Sequence, residues 1–157
     1  YIMNIVENKQ LFIEQATALV YGEENLVTNL SNLSALYKEY LPNTNWVGFY
    51  LLDEKNNNLV LGPFQGKVAC TRIPFNKGVC GHCFTTRETT YVEDVHKFPG
   101  HIACDSATNS ELVVPIIQND KVVALLDIDS IEFNRFSKEE VAAFSEVTKQ
   151  VFEKINF

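Results

Sequence analysis

The apolar residues of this chain change their period twice, and that change restricts the fold more than any other feature. From Asn4 to about Val20, the residues Ile5, Leu11, Phe12, Ala16, Leu19 and Val20 recur at helical spacing, and Gly22 closes the segment. A second helix is predicted from near Glu24 to Tyr40, striped by Leu26, Leu30, Leu33, Leu36 and Tyr37 and ended by Pro42. The period then becomes two. Asn45 to Leu52 reads as a strand rich in aromatic and branched residues, and Asp53 to Asn58 turns the chain into Leu59-Val60-Leu61. Ala69 to Phe75 reads as a further strand carrying Cys70, and a short helix beginning near Val79 carries Cys80 and Cys83. Tyr91-Val92-Glu93 is a short strand, and Glu111 to Gln118 and Lys121 to Ile128 form a tight hairpin through Asn119-Asp120. Ser137 with acids behind it caps a last amphipathic helix through Phe152. Helices at both ends of an antiparallel meander predict an α+β fold, a central antiparallel sheet with helices packed on one face.

Asp94 to Asn109 follows neither period, so it is predicted to be a long loop, and long loops inside compact domains tend to be functional. At 157 residues the whole span 1–157 fits one domain. Tyr1-Ile2 ahead of Met3 reads as the remnant of a cut tag. The net charge of −7 argues against a nucleic-acid partner, which rewards clustered Lys and Arg. No apolar run reaches the ~20 residues of a membrane span, and no signal peptide is visible, so the expected compartment is the cytoplasm.

In a reducing compartment four cysteines are thiols by default, which leaves inert buried groups, a metal site or redox chemistry. Cys80 sits at a predicted helix start, where amides and dipole favour a thiolate. Cys104 lies in the long loop, three residues after His101, and loops bury little. Cys83 shares a helix face with Val79 and Phe84 and reads as a buried hydrophobe. Cys80-Gly-His-Cys83 with His101 and Cys104 offers the residue types of a zinc site, a rival reading that spacing alone does not remove.

Asp127 and Asp129 end an apolar strand, and alternation puts both on one face with Ile128 on the other. Two carboxylates about 7 Å apart repel one another and resist desolvation unless a cation or protons intervene. Counting back through the Asn119-Asp120 turn brings Glu111 opposite this strand end. Three acids thus converge, suited to a divalent cation or to a primary ammonium group; a solvated acidic strand end is the plain alternative.

The stretches Gly-Pro-Phe-Gln-Gly-Lys-Val-Ala-Cys70, Gly78-Val-Cys80-Gly, Glu93-Asp-Val-His96, Gly100-His-Ile-Ala-Cys104-Asp, Asn109-Ser-Glu111 and Leu126-Asp127-Ile-Asp129-Ser resemble the free methionine-R-sulfoxide reductases, which are single GAF domains. The resemblance implies a GAF-like domain with a loop-rich active-site side that reduces free L-methionine-(R)-S-oxide to methionine. It implies that Cys104 attacks the sulfoxide, that Cys70 resolves the intermediate and that Cys80 is a second recycling thiol. Glu111, Asp127 and Asp129 would hold the substrate, with Trp46 and Tyr50 walling its methyl end; core packing is the other reading of those two aromatics. The cycle would run through a sulfenic acid and a disulfide, with thioredoxin as reductant, no metal and no organic cofactor, in a homodimer. A GAF module that only senses a small ligand is the rival from another class.

Overall fold

A computed structural model describes residues 3–102 and 104–157; Tyr1 and Ile2, expected to be a tag remnant, lie outside the described residues. The chain runs α1 (Lys9–Val20), α2 (Leu26–Glu39), β1 (Trp46–Asp53), β2 (Asn58–Gly66), β3 (Arg72–Pro74), α3 (Gly78–Thr86), β4 (Thr90–Val92), a short 3-10 turn at Val95–Lys97, β5 (Ser110–Gln118), β6 (Lys121–Ser130) and α4 (Lys138–Phe152). The six strands form one antiparallel sheet in the order β3-β2-β1-β6-β5-β4. This is the expected α+β architecture.

Strand alternation divides the molecule into two apolar layers. Val47 and Phe49 of β1, Leu112 and Val114 of β5, and Leu126 and Ile128 of β6 point toward α1, α2 and α4, where they meet Phe12, Leu33, Tyr37, Phe144 and Val147. Inside this layer the Tyr37 hydroxyl lies 2.8 Å from Thr148 Oγ1, which satisfies both buried groups. The opposite face carries Trp46, Tyr50, Val113 and Leu125, covered by α3 and by the segment leading into β3. Among the described α-helices, the one expected near Val79 is the one that packs on the second face, and the loops gather beside it.

Local chemistry sets the joints. Ser137 Oγ accepts from Glu140 N at 3.1 Å and Glu140 Oε1 accepts from Ser137 N at 3.1 Å, a reciprocal cap that starts α4 where the sequence predicts. Asn119 and Asp120 both take positive φ, at 51° and 63°, the hairpin turn that matches strand twist. Several boundaries differ from the sequence reading: β2 continues past Leu61 to Gly66, and two other differences have a local cause. The first helix begins at Lys9, because Asn4 Oδ1 accepts from Val6 N at 2.8 Å and closes a separate turn ahead of it. Cys70 lies off the sheet: β3 starts only at Arg72, and the Cys70 carbonyl accepts from the Tyr50 hydroxyl at 2.8 Å instead of from a neighbouring strand.

Candidate active site

The register sets the acids side by side. Glu111 on β5 pairs with Asp129 on β6, and Asp129 pairs in turn with Trp46 on β1, so one row of the second face reads Glu111, Asp129, Trp46. In the next row Asp127 stands between Val113 and Gly48. Gly48 is required there: a Cβ would collide with the Phe64 side chain and come within 2.8 Å of the Trp46 ring. The Trp46 and Phe64 rings stack at 5.1 Å, and the Trp46 and Tyr50 rings at 5.9 Å, which makes one apolar wall beside the acids.

All three carboxyl groups are held away from water, and their protonation follows from that. Burial, then the charges of Asp127 and Asp129, drive Glu111 well above the ordinary carboxylate range. Burial and the neighbouring Asp127 do the same to Asp129. Asp127 is raised less, because hydrogen bonds from Glu111, Cys80 and Asp129 partly offset its desolvation. Asp127 is thus the member of the three that gives up its proton most readily. Asp127 Oδ1 and Asp129 Oδ1 are buried without a protein partner. Two unanswered acceptors in an acidic hollow call for a donor from a ligand.

Cys104 is joined to Cys70 by a disulfide, with Cα atoms 5.4 Å apart, and Cys104 lines a cleft together with Cys80, Glu111, Asp127, Asp129, Trp46 and Tyr50. The structure therefore brings together seven of the eight candidate site residues around one hollow. The eighth, Cys70, is attached to it through the disulfide and through Tyr50. Cys80 is 3 % exposed at the start of α3. The expectation of a thiolate favoured by the helix start is reversed, since burial and then Asp127, Glu111 and Asp129 push this thiol well up. Cys83 is buried as expected; its Sγ lies 3.6 Å from the Val113 carbonyl, and burial pushes it up to about 12. The Cys80, Cys83, His101 and Cys104 zinc set is not gathered, because Cys104 is bonded to Cys70 and Cys83 faces Val113.

His101, noted in the sequence only for its nearness to Cys104, approaches Glu111 Oε1 at 4.0 Å through Nε2. Burial first, then His96, lowers its pKa, so this contact joins two groups pushed toward neutrality and is not an ion pair. Two further residues escaped the sequence reading. Asn45 Nδ2 donates to Asp105 Oδ2 at 2.9 Å and to Thr108 Oγ1 at 3.1 Å, bracing the turn that follows Cys104. Asp105 Oδ1 in turn accepts from Ala107 N at 2.9 Å. An aspartate two residues before a small residue is the sequence signal of such a turn. Nothing in the sequence reports that Asn45 reaches it.

Residues 33–152 match the GAF domain family model. The chain is 47% identical over 134 residues to the free methionine-R-sulfoxide reductase of Escherichia coli strain K12, covering 85% of this chain and 80% of that one. It is 46% identical over 158 residues to the enzyme of the same name from Saccharomyces cerevisiae, covering 94% of this chain and 83% of that one. Its structure resembles that of free methionine-R-sulfoxide reductase from Neisseria meningitidis in complex with its substrate, with a TM-score of 0.88 and 38% identity, over 94% of this chain and 88% of that one.

Proposed function

The chain belongs to the free methionine-R-sulfoxide reductases of the GAF domain family, and on that footing we propose that it reduces free L-methionine-(R)-S-oxide to L-methionine with Cys104 as nucleophile. The observation that carries this reading is the pair of unpartnered buried oxygens, on Asp127 and Asp129, in the same cleft as Cys104. An α-ammonium group supplies the donors that those oxygens lack. In a peptide the methionine nitrogen is a neutral amide, and leaving the acids unpaired in a closed site costs on the order of 2–5 kcal/mol, which favours the free amino acid. Trp46 and Tyr50 offer the apolar wall for the methyl end.

In the proposed cycle the Cys104 thiolate attacks the sulfoxide sulfur, and the oxygen takes up protons and leaves as water. Water then attacks the Cys104 sulfur, which releases methionine and leaves a sulfenic acid. Cys70 condenses with that acid, expelling water and forming a disulfide. The sum is two thiols and one sulfoxide giving one disulfide, one thioether and one water. The Cys70–Cys104 bond is what such a cycle leaves behind, and it supports the assignment. Burial beside two acids raises Glu111 well above the ordinary carboxylate range, which suits it to protonate the departing oxygen. Thioredoxin then reduces the disulfide by thiol exchange, with Cys80, on the cleft floor, as a second recycling thiol. The reading includes one catalytic domain, a homodimer and residence in the reducing cytoplasm. Among the described residues no helix is long and apolar enough to cross a membrane.

A turnover assay with both sulfoxide epimers and a sulfoxide-containing peptide, driven by dithiothreitol or thioredoxin, tests this. The expected result is methionine from the free R epimer only. Cys104→Ser should abolish turnover, and Cys70→Ser should release one equivalent of methionine and stall with thioredoxin. Multiple turnover by Cys104→Ser would overturn the assignment of the nucleophile, and no methionine from the parent protein would favour a sensing module instead.

A further inference from the structure

Cys80 Sγ, one carboxylate oxygen of Glu111 and one of Asp127 lie within 4.8 Å of one another, and all three residues are buried. Donor atoms around a single tetrahedral metal stand about 3.5 Å apart, so small side-chain rotations bring these three onto one ion. A second observation points the same way. Asp127 Oδ1, on a member of this cluster, has no protein partner, in a residue only 5 % exposed. One sulfur and two carboxylate oxygens suit a borderline cation such as zinc or cadmium rather than magnesium or calcium, which take oxygen donors alone. All three residues line the cleft, so a fourth ligand such as water can reach a bound ion from it.

We propose that Cys80, Glu111 and Asp127 form an inhibitory site for zinc-class divalent cations. The ion replaces the protons shared among the acids and the thiol proton of Cys80, all of which pass to solvent. It differs from the zinc arrangement considered in the sequence, since neither Cys83 nor Cys104 takes part. Its inhibitory half rests on the proposed function, because the ion occupies Asp127, assigned there to the substrate's ammonium, and Glu111, assigned there to the departing oxygen. Its binding half does not.

The test uses the purified oxidised protein, in which the Cys70–Cys104 bond leaves Cys80 and Cys83 as the thiols. Titration with cadmium should raise a thiolate-to-metal ultraviolet absorption that saturates at one equivalent, and zinc but not magnesium should compete it away. Cys80→Ser should lose that absorption and weaken zinc binding, followed by calorimetry, at least about tenfold. Asp127→Asn should weaken zinc binding to a similar degree, while Cys83→Ser should bind as the parent does. No absorption at one equivalent, or absorption that survives Cys80→Ser, would overturn the site. Free methionine should displace the ion. Zinc binding indifferent to saturating methionine would overturn the inhibitory half, and calorimetry of methionine without metal tests the functional reading by itself.

Discussion

Single atoms decide how the cleft divides its labour. The hydroxyl of Tyr50 donates to the Cys70 carbonyl at 2.8 Å, so a residue that lines the cleft also positions the backbone of Cys70, the proposed resolving cysteine. A hydrogen bond of this kind contributes about 0.5–1.5 kcal/mol. Tyr50→Phe keeps the ring and removes the donor. Methionine release in a single turnover should stay within about twofold of the parent, while disulfide formation between Cys70 and Cys104 should slow roughly two- to tenfold, read by rapid-quench thiol trapping. Equal slowing of both steps would show that the hydroxyl acts on the substrate instead. Asp129→Asn preserves shape and removes the carboxyl proposed to ionise against the substrate's ammonium group. A charge-assisted bond is worth about 1.5–3 kcal/mol, so KM for the free sulfoxide should rise roughly ten- to a hundredfold with a smaller change in kcat. An unchanged KM would remove Asp129 from substrate binding.

At the scale of elements, α4 shows how local chemistry and site are separable. Ser137→Ala deletes the oxygen that receives Glu140 N at 3.1 Å, at a cost of about 1 kcal/mol, and the element lies on the face away from the cleft. The urea midpoint should fall with the m-value unchanged, and turnover should be unaffected. That cap was legible in the sequence because it depends on four consecutive residues. So were the shared face of Asp127 and Asp129, which needs only strand alternation, and their meeting with Glu111, which needs only a count through a two-residue turn. Less was legible where distant segments meet. Cys70 reads as a strand residue because its neighbours are apolar, yet Tyr50, 20 residues earlier, draws it off the sheet. Helix dipole reasoning at Cys80 fails because burial, and after it the three acids of β5 and β6, outweigh the amides of its own helix. Asn45 and Asp105 are separated by 60 positions, and no local pattern joins them.

For the molecule as a whole, the buried acids link folding to pH and to ligand. Each of Glu111, Asp127 and Asp129 has its pKa raised in the folded state, mainly by burial, above the carboxylate range of about 4 that it takes when unfolded. Between those limits the folded protein holds protons that the unfolded chain has released. The slope of unfolding free energy with pH follows the protons bound by the unfolded chain minus those bound by the folded one, so their contribution is negative there. Stability owed to these groups is fully present below about pH 4 and declines as pH rises toward the raised folded values. Half-buried groups such as Asp53, lowered to about 2 by hydrogen bonds from Asn56 and Arg72, act in the opposite sense over a lower window. Comparison with Asp129→Asn, measured at each pH, therefore isolates the buried set. Between pH 5 and 8, on the order of one to four units above the unfolded carboxylate range, the parent should lose melting temperature faster than Asp129→Asn does. An ammonium ligand replaces the protons that the acids give up, so saturating free methionine should raise the parent's melting temperature more at pH 8 than at pH 6, and should raise that of Asp129→Asn little at either. Parallel curves for parent and variant would mean that the acids do not hold the extra protons in the fold. A methionine shift that is equal at the two pH values would mean that the ligand's charge is met somewhere else.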